Sequence, residues 1–157
     1  RHSMKRVKGR SSVTHLKWLT LVLVLSGSVA LAHQGVQNAA VKARMHAMTK
    51  IGAGMKILGQ MAKGETGFDS AAARAAAREI STHAAQTEAL FTPRESDPKS
   101  EAKPAIWEDF DDFIAKSQAL EDLARSLVGG LRTEADLSAA VPKLGAACKA
   151  CHSKYRE

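Results

Sequence analysis

Cys148-Lys149-Ala150-Cys151-His152 lies five residues before the last residue and holds both cysteines of the 157-residue chain. C-x-x-C-H is the attachment signature of a c-type haem: two thiols add to the vinyl groups, and the adjacent histidine is placed to ligate the iron. On a helix, positions 148, 151 and 152 fall at i, i+3 and i+4 and share one face, so the edge of a planar haem meets all three. Three other readings compete: a dithiol redox pair, half of a zinc site, and chance spacing. A dithiol motif usually follows a strand near a helix start. Structural zinc normally takes four ligands, two more than the cysteines here supply.

Around that motif the apolar residues recur at helical steps in four stretches. The first runs from about Val36 to Ala62, with Val41, Met45/Met48, Ile51/Gly52, Met55, Leu58/Gly59 and Ala62 at intervals of three and four, and Lys63-Gly64-Glu65-Thr66-Gly67 ends it. The second starts at Asp69, a good N-cap, and passes through the alanine-rich run 71–77 to Leu90. Its small side chains let neighbouring helices approach closely. Phe91 to Lys103, with Pro93 and Pro98, reads as a surface loop.

Pro104 suits the first position of a third helix, whose seam is Ile106, Phe110, Phe113, Ser117, Leu120, Ala124 and Leu127, with Gly129-Gly130 as its stop. The fourth starts at Thr133, with Asp136 three residues on in a capping-box arrangement, and carries Leu137, Val141, Leu144, Cys148, Cys151/His152 and Tyr155. Pro142 interrupts this pattern and predicts a kink or a late start. The expected fold is all-α: an antiparallel four-helix bundle with a C-terminal c-type haem attachment, its core holding the cofactor between facing helices. No strand-period segment or Gly-rich phosphate loop competes.

The length allows one compact domain. Arg1-His2-Ser3 ahead of Met4 reads as an appended remnant. Lys5, Arg6, Lys8, Arg10 and Lys17 then precede the apolar run Trp18 to Leu25, and Ala30-Leu31-Ala32 gives the small-x-small pattern of a cleavage site. The expectation is a cleaved signal peptide over 1–32 and a haem domain over 33–157. An uncleaved anchor is the alternative, but 18–32 is only 15 residues and includes Ser26, Gly27 and Ser28, whereas a spanning helix wants ~20 apolar residues. Export to the periplasm, without stable membrane insertion after cleavage, suits covalent haem attachment. With both cysteines on haem, no disulfide is expected.

The formal charge of +7 is concentrated in the leader. Residues 1–32 carry six Lys/Arg and no Asp/Glu, which leaves 17 basic and 16 acidic residues in the remainder and argues against nucleic-acid binding. An asymmetry persists: Lys42, Arg44, Lys50, Lys56 and Lys63 precede the first acid, Glu65, while Glu101, Glu108, Asp109, Asp111 and Asp112 cluster later. Such patches are mostly solvated helix faces and also serve to steer a redox partner protein.

The chain resembles class II cytochromes c, the cytochrome c-prime superfamily, whose mark is a C-x-x-C-H near the C-terminus of a four-helix bundle. Beyond the pentapeptide, the resemblance is carried by Met61-Ala62-Lys63-Gly64-Glu65, Lys103-Pro104-Ala105-Ile106-Trp107 and the end of the chain through Tyr155-Arg156, and covers about residues 36–156. It implies one covalent haem c and an iron site with His152 on the proximal side. One branch of the superfamily leaves the distal side open under an apolar side chain and binds small gases. The other places a methionine there and carries electrons.

Counted back from Lys63-Gly64, the family's distal position falls on Met48. A thioether is a soft, neutral ligand that favours ferrous iron. Methionine at helical spacing is also a common gap-filler, and Met45, Met55 and Met61 share the helix, with Met45 the fallback ligand. His46 is two residues from Met48, points elsewhere and reads as exposed.

The resemblance also places Arg44, four residues before Met48, near the haem edge, where it would bond a propionate unless it is simply solvated. Arg156, four residues after His152, matches an arginine beside the proximal face. Trp107 and Tyr155 pack on the haem or serve the plain core. His83 reads as surface or satisfied core.

The expectation is therefore a periplasmic electron-transfer protein with His/Met ligation, not an enzyme. The alternative is a five-coordinate protein binding nitric oxide or carbon monoxide. A peroxidase-like role lacks a distal histidine or general acid. The resemblance also implies a homodimer paired through the first two helices, which their small residues permit.

Overall fold

A computed structural model of the chain describes residues 35–157. The leader and its cleavage pattern at 1–32 lie outside the described residues. Those described form six helices: α1 Ala39–Ala62, α2 Ser70–Ala84, α3 Thr87–Phe91, α4 Ala105–Glu108, α5 Phe110–Gly130 and α6 Glu134–Tyr155. The four long ones, α1, α2, α5 and α6, make the bundle.

The ends of these helices follow from local chemistry. Asn38 caps α1 by accepting the Val41 N–H at 3.0 Å, and Asp69 caps α2 by accepting from Ala72 at 2.9 Å. Gly64, at φ 71°, closes the end of α1 in the left-handed region that glycine adopts without strain. Thr133 and Asp136 form the capping box that opens α6. From there α6 runs unbroken through the exposed Pro142. A late start near Pro142 therefore does not occur, because the capping box nucleates the helix upstream of it.

Two expected helices are each divided in two. The second stops at Ala84; Ala85 and Gln86 form a tightened turn, with Gln86 N–H donating to His83 O at 3.3 Å, before α3 resumes. The Ser117 hydroxyl donates to the Ala84 carbonyl at 3.1 Å, taking up an acceptor at the end of α2. The third bends at Asp109 (φ −135°, ψ 59°), which separates α4 from α5. That bend turns Asp109 towards the end of α6, where its carboxylate accepts from Lys154 Nζ at 2.6 Å. Gly129-Gly130 stays helical and Leu131 caps the end of α5, its carbonyl accepting from Ser70 Oγ at 2.7 Å and Arg74 Nε at 3.1 Å.

The long helices are antiparallel in sequence order, and their main core is an aliphatic cluster. Leu58, Ile80, Leu131, Leu137 and Leu144 are fully buried in it, with Ala73, Ala76, Ala77 and Ala124 between them. The alanines let α1 and α2 approach closely. A Cβ on Gly54 would sit 2.7 Å from Ile80 Cγ1 and 3.0 Å from the Ala76 carbonyl. The buried stripe of α1 is Val41, Arg44, Ala47, Ile51, Gly54, Leu58 and Met61, with Met45, Met48 and Met55 on its shoulders.

A second, aromatic cluster is built where α5 begins and α6 ends. It contains Phe91, Ile106, Phe113, Ile114 and Tyr155. The 92–104 loop is anchored here: Asp97 accepts from the N–H groups of Gln37 (2.8 Å) and Asn38 (3.1 Å) at the start of α1. An antiparallel bridge joins Ala102 to Arg156, with Lys103 N–H donating to Tyr155 O at 3.0 Å and Glu157 N–H to Glu101 O at 2.9 Å.

Candidate functional site

The last three turns of α6 carry Cys148, Cys151 and His152, so the one-face spacing expected of the motif is realised on a continuous helix. Both cysteines are half-buried, and they form no disulfide with each other. Burial pushes the Cys148 thiol up, and the Cys151 thiol up to about 11. A dithiol redox motif needs the opposite shift, towards thiolate. Among the described residues no group of three or more His, Cys, Asp and Glu side chains is arranged to hold a metal ion. Two protonated thiols beside an imidazole, on the face of a helix that meets an aromatic cluster, fit a haem joined by thioether bonds.

His152 is exposed, and no hydrogen bond or ion pair among the described residues engages its ring. Desolvation, and then the charge of Arg156, hold its imidazole below the usual value, against Glu101. The neutral form is the one that ligates iron. Arg156 caps α6 through its N–H to His152 O, and its guanidinium pairs with Glu101. It thus stands beside the His152 turn and ties it to the loop.

Met48 is half-buried and packs against both the aliphatic and the aromatic cluster, and Cys151 packs against the aromatic one. Met45 is half-buried too but belongs to neither cluster. His46 is exposed, as expected. His83 is neither surface nor satisfied: its Nε2 lies 3.5 Å from Glu79, and its buried Nδ1 has no hydrogen-bond partner.

Arg44 is buried at 3% exposure, so the solvated reading fails. Nε donates to Leu90 O at 2.9 Å, Nη1 to Glu95 O at 2.7 Å and Nη2 to Pro93 O. Its guanidinium also lies 4.8 Å from the Phe91 ring centre and 5.2 Å from that of Trp107. The first task of Arg44 is to hold the chain leaving α3. Two of its five N–H groups remain beyond those three bonds.

Trp107 is half-buried and donates from Nε1 to Phe91 O at 2.7 Å. Tyr155 is buried, edge-on to Phe113 at 5.2 Å, and its hydroxyl donates to Asp112 Oδ2 at 2.5 Å. The same carboxylate accepts from Lys116 at 2.7 Å and Lys154 at 3.0 Å. These bonds hold Asp112 well below the usual carboxylate range. Phe91, Asp112 and Lys116 do not stand out in the sequence. Phe91 falls at the edge of a Pro-containing loop, and Asp112 lies within an acidic run that reads as a solvated face.

Comparison with known proteins follows the same outline. The family model described as Cytochrome C' matches residues 39–156. Cytochrome c-556 of Agrobacterium fabrum is 43% identical over 117 residues, covering 74% of this chain and 80% of the relative. Among solved structures, cytochrome c' from Rhodobacter Spheriodes superposes with a TM-score of 0.68 at 34% identity, covering 74% of this chain and 94% of that one. A nitric oxide complex of a leucine-to-isoleucine variant of cytochrome c prime from Alcaligenes xylosoxidans gives 0.67 at 33% identity, over 75% and 94%. With both cysteines, the histidine and the bundle inside the matched span, the chain belongs to the cytochrome c' family and carries covalent haem c.

Proposed function

We propose that the protein is a periplasmic electron carrier in which Cys148 and Cys151 anchor the haem, His152 is the proximal ligand and Met48 the distal one. The position of Met48 carries this reading: a thioether on the shoulder of α1, packed against the aromatic cluster that also receives Cys151. Bound haem supplies a one-electron ferric/ferrous couple. The chain's own residues do the rest. His152 offers a neutral nitrogen, Met48 a soft sulfur that favours the ferrous state, and the aromatic cluster shields one side from water. Arg44, Trp107, Tyr155 and Arg156 frame the cofactor by fixing the loop and the last turn of α6 around it.

Resemblance to a relative named cytochrome c-556 supports the carrier reading. The similarity to a nitric oxide complex of an Alcaligenes protein favours a second one, in which the distal side is open and binds small gases. Optical spectra separate them: low-spin haem in both oxidation states, with Met48→Ala turning high-spin and taking up carbon monoxide, supports the carrier. A wild-type haem that is high-spin and gas-reactive supports the second reading.

The leader-like segment at 1–32 supports export, with the haem domain spanning 33–157. No helix among the described residues is long and apolar enough to cross a membrane. A groove of about 330 Å³ between α1 and α2, lined by Ala53, Gly54, Ile57 and Ala72 with Lys50 and Glu79 at its edge, supports pairing with a second copy. Ile57 is 42% exposed in its wall, an apolar side chain among small residues on one face, which suits a two-fold interface.

A further inference from the structure

The Asp112 carboxylate sits at the centre of a charge cluster that the haem site as described does not use. Oδ1 accepts from Lys116 Nζ at 2.7 Å, and Oδ2 from Tyr155 OH at 2.5 Å and Lys154 Nζ at 3.0 Å. Lys154 is shared with Asp109 at 2.6 Å, so two carboxylates balance two ammonium groups. The Asp112 and Lys116 side chains are only 34% and 29% exposed, where solvent screens a charge incompletely.

Tyr155 places this cluster against the cofactor attachment. Its buried ring packs in the aromatic group that Cys151 joins, while its hydroxyl holds Asp112.

We propose that the Asp112–Lys116 pair sets the haem reduction potential electrostatically from the Cys151 side, with Tyr155 as the residue that positions Asp112. The ferric haem carries one more positive charge than the ferrous. An uncompensated cation nearby therefore favours reduction, and an uncompensated anion disfavours it. The balanced cluster holds the potential between those limits. This rests on thioether attachment at Cys151 and not on the ligand at Met48.

The test is spectroelectrochemical titration of the haem-loaded protein. Asp112→Asn leaves Lys116 and Lys154 under-compensated and shifts the potential upward. Lys116→Gln leaves Asp112 under-compensated and shifts it downward, and Lys116→Glu shifts it further down. The double variant Asp112→Asn with Lys116→Gln removes one charge of each sign and returns towards wild type. Tyr155→Phe changes no charge and moves the potential less than Asp112→Asn.

Shifts of one sign in all variants, or no resolved shift in the two Lys116 variants, would overturn the proposal in favour of a purely structural cluster. If Asp112→Asn does not load haem, the two Lys116 substitutions decide the matter alone. Spin state is read from the same samples. A high-spin wild type sinks His/Met ligation but leaves the opposite-sign result intact, and same-sign shifts sink this proposal while a low-spin spectrum stands.

Discussion

Arg44 occupies a socket of main-chain carbonyls, with Leu90 O, Pro93 O and Glu95 O around its guanidinium and Phe91 and Trp107 along its faces. A hydrogen bond to a charged group contributes ~1.5–3 kcal/mol, and a buried acceptor left without a partner costs ~1–3. Arg44→Ala should therefore destabilise the protein by about 3 kcal/mol or more in urea unfolding. A loss below about 1 kcal/mol accompanied by a large change in haem potential would instead make propionate binding its main task. The sequence places this residue on the correct face of α1, four before Met48, yet its partners are invisible there. Main-chain carbonyls in α3 and in the loop after it, 46 to 51 residues away, have no sequence signature. The C-x-x-C-H motif is the opposite case, because its spacing carries its own geometry.

At the scale of the helix, glycine separates packing from propensity. Gly54 and Gly52 share α1, but a Cβ at 54 would meet Ile80 and the Ala76 carbonyl, whereas one at 52 would meet nothing within 4 Å. Alanine gains ~1 kcal/mol in helix propensity at either site, and overpacking costs ~1–3 kcal/mol. Gly52→Ala should raise the thermal midpoint and Gly54→Ala should lower it. Equal shifts would show that α1 and α2 are not held at this distance.

The α5–α6 junction should respond to acid. Asp112 is held below the ordinary carboxylate range by Lys116, Tyr155 and Lys154. A depressed folded value contributes stability that is complete above the unfolded value of ~3.9 and fades as the pH falls below it. Asp112→Asn should therefore be less stable than wild type near neutrality, with a gap that narrows below about pH 4 in denaturant titrations. A gap independent of pH would assign Asp112 a non-ionic role.

Helix existence was legible from apolar spacing and caps: Asp69 and Thr133 begin their helices as the side chains dictate. The breaks were not legible. Asp109 bends the third helix to reach Lys154, 45 residues on, a tertiary demand that local pattern does not encode. Pro142 is the converse, a local breaker overridden by the capping box and by the burial of Leu137 and Leu144 on either side.

For the whole molecule, the α1–α2 groove and the exposed Ile57 set the expected assembly. Ile57→Glu should convert a dimer to a monomer in sedimentation velocity while leaving the haem spectrum unchanged. A wild type that sediments as a monomer at high concentration would remove the interface. The architecture itself follows from four amphipathic stretches and one C-terminal motif, and the family match over 39–156 agrees with it.

The distal ligand is the point on which the function turns, since the same bundle serves an open or a closed iron. The sequence reaches Met48 only by counting from Lys63-Gly64, and the fold adds its contact with the cluster that receives Cys151. The decisive measurement is the optical and magnetic circular dichroism spectrum of the ferric protein, with and without Met48→Ala. A sulfur-to-iron charge-transfer band in a low-spin wild type, lost in the variant, is the expected result. A high-spin wild type whose spectrum the substitution leaves unchanged would contradict it.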